Sequence, residues 1–341
     1  MRFSRTVLFF GVIALSTALN AQSYKVTNRI SFPGNEGWDY LFADSAARQL
    51  YVSHGSAVEV VDLDSQKPVA HITGLNRIHG VAVADDLNRG FISDGADNVV
   101  VVFDLKSHAV LQRVKTGADP DAILFDPSSK RVFTFNGRSQ NMTAIDAATS
   151  DVVGTTDLGG DPEFPVSDGQ GKIFANIADK NEIVQINPAT LKIENRWSLA
   201  PCERPSGLAI DVTEGRLFSV CSNQKMMVMD DKSGKIVATL PIGNGPDAAA
   251  YDADKKLAFS SNGRDGTLTV VKQDSANKYS VLETIPTEKS ARTMSLDAKT
   301  HNIYFSAGQF GPPPEPTADN PHPRPKLVPD TFHVLVVSPN P

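Results

Sequence analysis

The sequence predicts an all-β fold: a seven-bladed β-propeller of four-stranded antiparallel blades, closed by the N-terminal strand completing the last blade. Three observations carry that expectation. The stretch from Ala118 to Gly160 reads as four short strands, DAILFD, RVFTFN, NMTAID and DVVGTTDL, rich in Val, Ile, Phe and Thr and bounded by Pro-Ser-Ser, Asn-Gly and Asp-Ala-Ala-Thr, the composition of strands set between turns. The pattern then recurs. Second strands aligned on their leading aromatic give Tyr51, Phe91, Phe133, Phe174, Phe218, Phe259 and Tyr304, with spacings of 40, 42, 41, 44, 41 and 45 residues. A second marker keeps the same register: Asp62, Asp104, Asp146, Asn187 and Asp230 end third strands, each followed three residues on by Ser65, Ser107, Thr149, Thr190 and Ser233. An Asx side chain in that position bonds the backbone ahead and fixes the turn. One such sheet leaves both faces uncovered, so the units stack, and radial stacking leaves no long free edge.

Taken in order, residues 1–21 have a basic start (Arg2, Arg5), an apolar run from Val7 to Leu19 and a small residue, Ala21, at a cleavage point, the features of a secretory signal peptide. Residues 22–341 are expected to form a single propeller domain. Tyr24 to Phe32 resembles the fourth strand of a blade but precedes any complete unit. Blades then run Gly37–Gly74, Leu75–Gly117, Ala118–Gly160, Asp161–Ala200, Pro201–Gly243 and Asn244–Thr287. The seventh, from Glu288, has strands ARTMSLD, NIYFSAG and FHVLVV but no fourth, and the orphan strand fits the vacant slot. A Pro-rich insertion, residues 311–329, interrupts this blade; its eight prolines exclude helix and sheet. It reads either as an exposed polyproline-like loop or as a lid over one mouth of the channel.

Composition narrows the function. The chain carries 17 Phe and 6 Tyr against 2 Trp, with 24 Gly and 22 Pro, as short strands and many turns require. Net charge is −6, and −8 once Arg2 and Arg5 leave with the signal; no basic run occurs, which argues against nucleic-acid binding. The apolar run is too short for a membrane span. The protein is therefore expected to be exported, periplasmic or secreted, and monomeric. Nucleophile-elbow and phosphate-loop motifs are absent from the sequence.

Loops that enter first strands and leave second strands meet at one mouth of a propeller channel, where sites on such scaffolds lie. The residues five places before each first-strand end are Asp39, His79, Asp121, Glu163, Ser206, Asp247 and Arg292. Converging on one axis, like charges raise each other's pKa, and a cation or polar ligand relieves the repulsion. The competing reading is turn capping by Asp, as in Pro120-Asp121 and Pro246-Asp247. Second-strand exits add His54 and Asp94, so that His54, His79, Asp39 and Asp94 form a possible divalent-metal set; no compact metal motif accompanies them, and no other cofactor is expected. Cys202 and Cys221 reach the same mouth and are candidates for a disulfide. Trp38, Tyr40, Phe164 and Phe310 also fall there.

The segments YVSHGSAVEVVD, FISDGADNVVVVFD, FTFNGRSQNMTAID and FSSNGRDGTLTVV resemble the YVTN-type, YncE-like β-propeller repeat family across residues 24 to 341. That resemblance implies an exported seven-bladed propeller, often without catalysis; some relatives bind partners or nucleic acid, and others resemble lactonases or dehydrogenase subunits. The leading expectation is a binding module for a small polar ligand or partner protein at the acidic mouth. The alternative is a metal-assisted hydrolase of the lactonase type using the same mouth.

Overall fold

The computed structural model describes residues 23–317 and 323–340; the expected signal peptide and residues 318–322 of the Pro-rich insertion lie outside them. Seven four-stranded antiparallel sheets follow one another round a central channel, and the first strands pack in sequence from blade one to blade seven and back to blade one. Two 3₁₀ turns, Asp85–Leu87 and Ala178–Lys180, are the helical elements among the described residues. None of these is long and apolar enough to cross a membrane.

Closure is made by the N-terminal strand. Tyr24–Ser31 pairs antiparallel with His333–Pro339, with Val26 opposite Val337 and Ile30 opposite Val334. Two further backbone bonds extend the seam at its ends, from Phe32 N–H to Phe332 O (3.0 Å) and from Asn340 N–H to Ser23 O (2.8 Å). Blade seven is thus assembled from the two ends of the described chain, whereas blades one to six are each continuous.

The period seen in the sequence is the period of the core. All seven leading aromatics are fully buried, where they fill the wedges between blades: Phe218 stacks on Tyr251 of the next blade at 5.1 Å, and Tyr24 meets Phe259 edge-on at 5.3 Å. Burying one such ring contributes about 2–3 kcal/mol. The Asx marker also acts as its chemistry requires. Asp62 accepts from Ser65 N–H at 2.7 Å, and the turns at Asp104, Asp146, Asn187 and Asp230 repeat the bond at 2.7, 2.8, 3.0 and 2.8 Å. Blade six departs from the pattern because its third strand runs on to Ser275 and a tight turn follows.

Candidate functional site

Each candidate ring residue owes its direction to a local irregularity. In blade one Trp38 pairs with His54 and Leu41 with Val52, so two residues, Asp39 and Tyr40, stand opposite one, Ser53. Such a bulge re-aims the side chains that it carries. The same shift recurs at His79, Asp121, Glu163, Ser206 and Asp247, each the second residue of its first strand. Arg292 precedes the paired part of the last first strand, which begins at Met294.

Small polar side chains stitch the bulges. Ser53 Oγ accepts from Asp39 N–H at 3.0 Å and donates to Tyr40 O at 2.7 Å. Ser93 Oγ accepts from Gly80 N–H at 2.9 Å and donates to Asp121 O at 2.6 Å in the next blade. Asn176 Nδ2 reaches Ser206 O at 2.8 Å, Thr293 Oγ1 reaches Asp39 O at 2.7 Å, and Ser261 Oγ donates to Arg292 O. The ring is therefore clamped through its backbone, which leaves its side chains free to face the channel.

The expected ring residues do converge. His79 Nδ1 lies 2.7 Å from Asp39 Oδ2 and 3.3 Å from Asp121 Oδ1. Arg292 pairs with Asp247 and lies 3.7 Å from Asp39. Ser206 is the neutral member; its hydroxyl donates to Pro246 O at 3.2 Å. Glu163 makes no hydrogen bond or ion pair among the described residues. Burial, then repulsion from Asp121 and Asp247, pushes its carboxyl up to about 8. Burial and the Asp39 charge likewise raise Asp121 to about 7, against the opposing pull of His79. Asp247 is raised by burial although Arg292 opposes it. For His79, burial favours the neutral ring, but the bond to Asp39 and the charges of Asp121 and Asp39 outweigh it and raise its pKa.

Tyr40 and Phe164 meet edge-on at 5.4 Å below this ring. The Tyr40 phenol is held protonated by burial and by the charges of Asp121, Asp39, Glu163 and Asp247. Further along the channel lies an apolar cavity of about 440 Å³ lined by Phe42, Val81, Ile123, Phe125 and Val166. The channel is polar at one mouth and apolar beneath it.

The other candidates fall differently. Asp39 and His79 are grouped with Asp121, their ligand atoms all within 4.8 Å of one another; His54 and Asp94 stay outside that group. His54 turns Nδ1 toward Glu59 at 3.2 Å and packs on Phe332 at 4.5 Å. Asp94 accepts from Asn76 N–H at 2.9 Å and lies 3.6 Å from Arg113. Asp94 is committed to holding its loop, and His54 is held through Nδ1 and its ring face while its buried Nε2 has no hydrogen-bond partner among the described residues. The turn-capping reading of Asp121 and Asp247 does not hold either, since neither carboxylate accepts a backbone N–H among the described residues. Cys202 and Cys221 are joined as a disulfide with Cα atoms 5.4 Å apart, tying the loop into blade five to the end of its second strand. The insertion is anchored at its base by bonds from Gly311 N–H to Lys326 O (2.9 Å) and from Val328 N–H to Gln309 O (2.8 Å).

The bulges and their serine clamps escaped the sequence reading. A signal exists: two residues after the leading aromatic stand the clamps Ser53, Ser93, Asn176 and Ser261, with Phe135 and Val220 in two of the remaining blades and Ser306 in the last, where its hydroxyl has no partner among the described residues.

No protein-family model matches the chain, and no curated protein sequence is similar to it. Solved structures do resemble it. Hydrazine synthase of Kuenenia stuttgartiensis superposes with a TM-score of 0.67 at 16% identity, covering 86% of this chain and 96% of that one. The structure of U3-55K superposes with a TM-score of 0.73 at 8% identity, covering 92% and 98%. At such identities the likeness is one of fold.

Proposed function

We propose that this propeller is a binding module that grips a cationic group, an amine or guanidinium of a small polar ligand or of a partner protein, at the ring of Asp39, His79, Asp121, Glu163, Asp247 and Arg292. The observation that carries this reading is Glu163, a carboxylate in the channel mouth that is raised to about 8 although the Arg204 charge opposes the rise, and that makes no direct ion pair among the described residues. A cation arriving there relieves the repulsion that raises it. Because binding favours the ionised form, affinity rises with pH as Asp121 and Glu163 lose their protons. The protein works outside the cytoplasm, which the disulfide supports, and we place it among the YVTN-type repeat propellers.

The test is thermal shift against a panel of primary amines and guanidines at pH 6 and pH 9, since a ligand of the native state raises its melting temperature. A larger rise at pH 9, absent from Glu163→Gln, is expected; no response from any cation at either pH rejects the reading.

A second reading rests on the Asp39, His79 and Asp121 group. Its clustered ligand atoms suit a divalent ion, which in a lactonase-type hydrolase supplies an activated water. Metal analysis of the purified protein separates the two. Stoichiometric metal that is lost in His79→Ala favours the hydrolase, and protein free of metal after dialysis against physiological ions favours the binding module.

A further inference from the structure

Beside the ring, between the channel mouth and the base of the Pro-rich insertion, lies a cleft of about 760 Å³, within the range of small-molecule sites. Its chemistry is the reverse of the ring's. Trp38, Phe310, Arg264 and Arg324 line it, together with the mutually paired Asp247 and Arg292.

Each wall is positioned by the fold. Trp38 is stacked on Phe332 at 5.2 Å and 20° and flanked by Phe310 at 5.5 Å; Phe310 is 49% exposed, with its outer surface uncovered. Gly245, at φ +71°, lets Arg264 lie across it, since a Cβ there would sit 2.5 Å from Arg264 Cγ. Arg324 stands two residues before Lys326, whose carbonyl is pinned by Gly311 N–H at 2.9 Å. Among the described residues the guanidiniums of Arg264 and Arg324 have no partner, whereas Arg292 is engaged by Asp247 and Asp39. Arg292 thus stands between the carboxylates of the channel and the two unpaired arginines.

We infer that this cleft binds a small organic anion with a flat apolar body: its carboxylate or phosphate on Arg264 and Arg324, its body against Trp38 and Phe310. A planar guanidinium presents paired donors that match either anion, and an aromatic wall removes flat apolar surface from water on the same side. The site shares the Asp247–Arg292 pair with the ring as a common wall and is opposite to the ring in charge preference.

The experiment titrates the full chain with phenyl phosphate, benzoate and inorganic phosphate, followed by calorimetry and by tryptophan fluorescence. Trp38 is one of only two tryptophans, and the other, Trp197, lies on the outer strand of blade four. Expected are saturable binding of at least one aryl anion with a fluorescence change, at least tenfold weaker binding of inorganic phosphate, and at least a tenfold loss in the Arg264→Gln/Arg324→Gln double variant. Both substitutions are at exposed positions, and an unchanged melting temperature confirms that the variant is folded. A preference for phenyl phosphate over benzoate assigns the headgroup to phosphate, and the opposite preference assigns it to carboxylate. The inference is overturned if neither aryl anion saturates, if the double variant binds as well as the parent, or if inorganic phosphate binds equally. The response of the ring to amines is expected to persist in the double variant, so failure here and failure of the cation reading are told apart.

Discussion

In blade three the first strand, Pro120–Asp126, carries an aspartate near each end, and the two behave oppositely. Asp126 is buried, which pushes its carboxyl up, but the hydroxyls of Ser167, Ser129 and Ser128 and the N–H of Ser129 outweigh burial and hold it below the usual carboxylate range. Asp121, five residues earlier, has no such donors and is raised to about 7. Blade seven repeats the satisfied case at Asp297, where burial is again overcome, here by Thr300, Ser45 and Arg48. Residue type and strand are shared, so the difference lies in the donors that the fold supplies. At the far end of the first strands, carboxylates fasten one blade to the next: Ser167 Oγ, from blade four, donates to Asp126 at 2.5 Å. At the channel mouth Asp121 and Glu163 are left short of donors and their pKa values are raised, which is what a binding site needs and a structural bond does not.

The largest expected effect breaks the satisfied end. Asp126→Ala removes the acceptor for three hydroxyls and one backbone N–H, at a cost of about 3 kcal/mol, or roughly 6–12 °C in melting temperature for a chain of this size. The group's folded pKa lies below its unfolded value of about 4. Its contribution is therefore present above that value and lost as pH falls through the folded one. The gap between parent and variant, followed by denaturant unfolding, is expected to hold from pH 5 upward and to close in stronger acid.

The same comparison is sharpened at the mouth, where the sign reverses. Glu163 has its folded pKa raised from the model-compound value of 4.5 to about 8, so the folded chain holds a proton that the unfolded chain has released. Stability then falls as pH rises between those values. Glu163→Gln stays neutral throughout. It is expected to match the parent at pH 4 and to exceed it by about 1–2 kcal/mol at pH 9, after allowance for screening by channel water. A variant that melts lower than the parent at pH 9 would show that Glu163 has a partner and would remove the ground for the cation site.

Much of this was legible beforehand, for definite reasons. Tyr51 and its six counterparts recur because every wedge between blades needs one large ring, and Asp62 and its counterparts recur because each hairpin is closed by the same side-chain bond. Alignment on those markers was enough to bring Asp39, His79, Asp121, Glu163, Asp247 and Arg292 to one mouth. It failed for His54 and Asp94, since position in a repeat says where a side chain starts and not which neighbour claims it. Glu59 and the ring of Phe332 claim His54, and neither is at a repeating ring position. Arg264 sits in register with Arg138, at a position the alignment on first-strand entries did not sample, and Arg324 sits in the insertion, outside the period. The bulges depend on pairing register, which composition does not reveal, although Ser53, Ser93 and Ser261 marked them.

Those serines give the smallest expected effect and the most pointed test of the contrast. If the mouth is left unsatisfied by design of the fold, its geometry must be held by something other than its own charges, and Ser93 is the clearest holder: it takes Gly80 N–H and gives its proton to the carbonyl of Asp121. Ser93→Ala leaves two buried backbone groups short of a partner, at a cost of about 1 kcal/mol, near 2–4 °C. Asp121 is then freed to shift against His79. Amine affinity at pH 9, measured by calorimetry, is expected to drop about tenfold, more than the loss of stability alone accounts for, because the folded fraction remains near unity. Unchanged affinity in a destabilised Ser93→Ala would instead mean that Asp39, His79 and Asp121 hold one another in place through their ion pairs. The two ends of the strand would then differ in the strength of their bonds and not in kind.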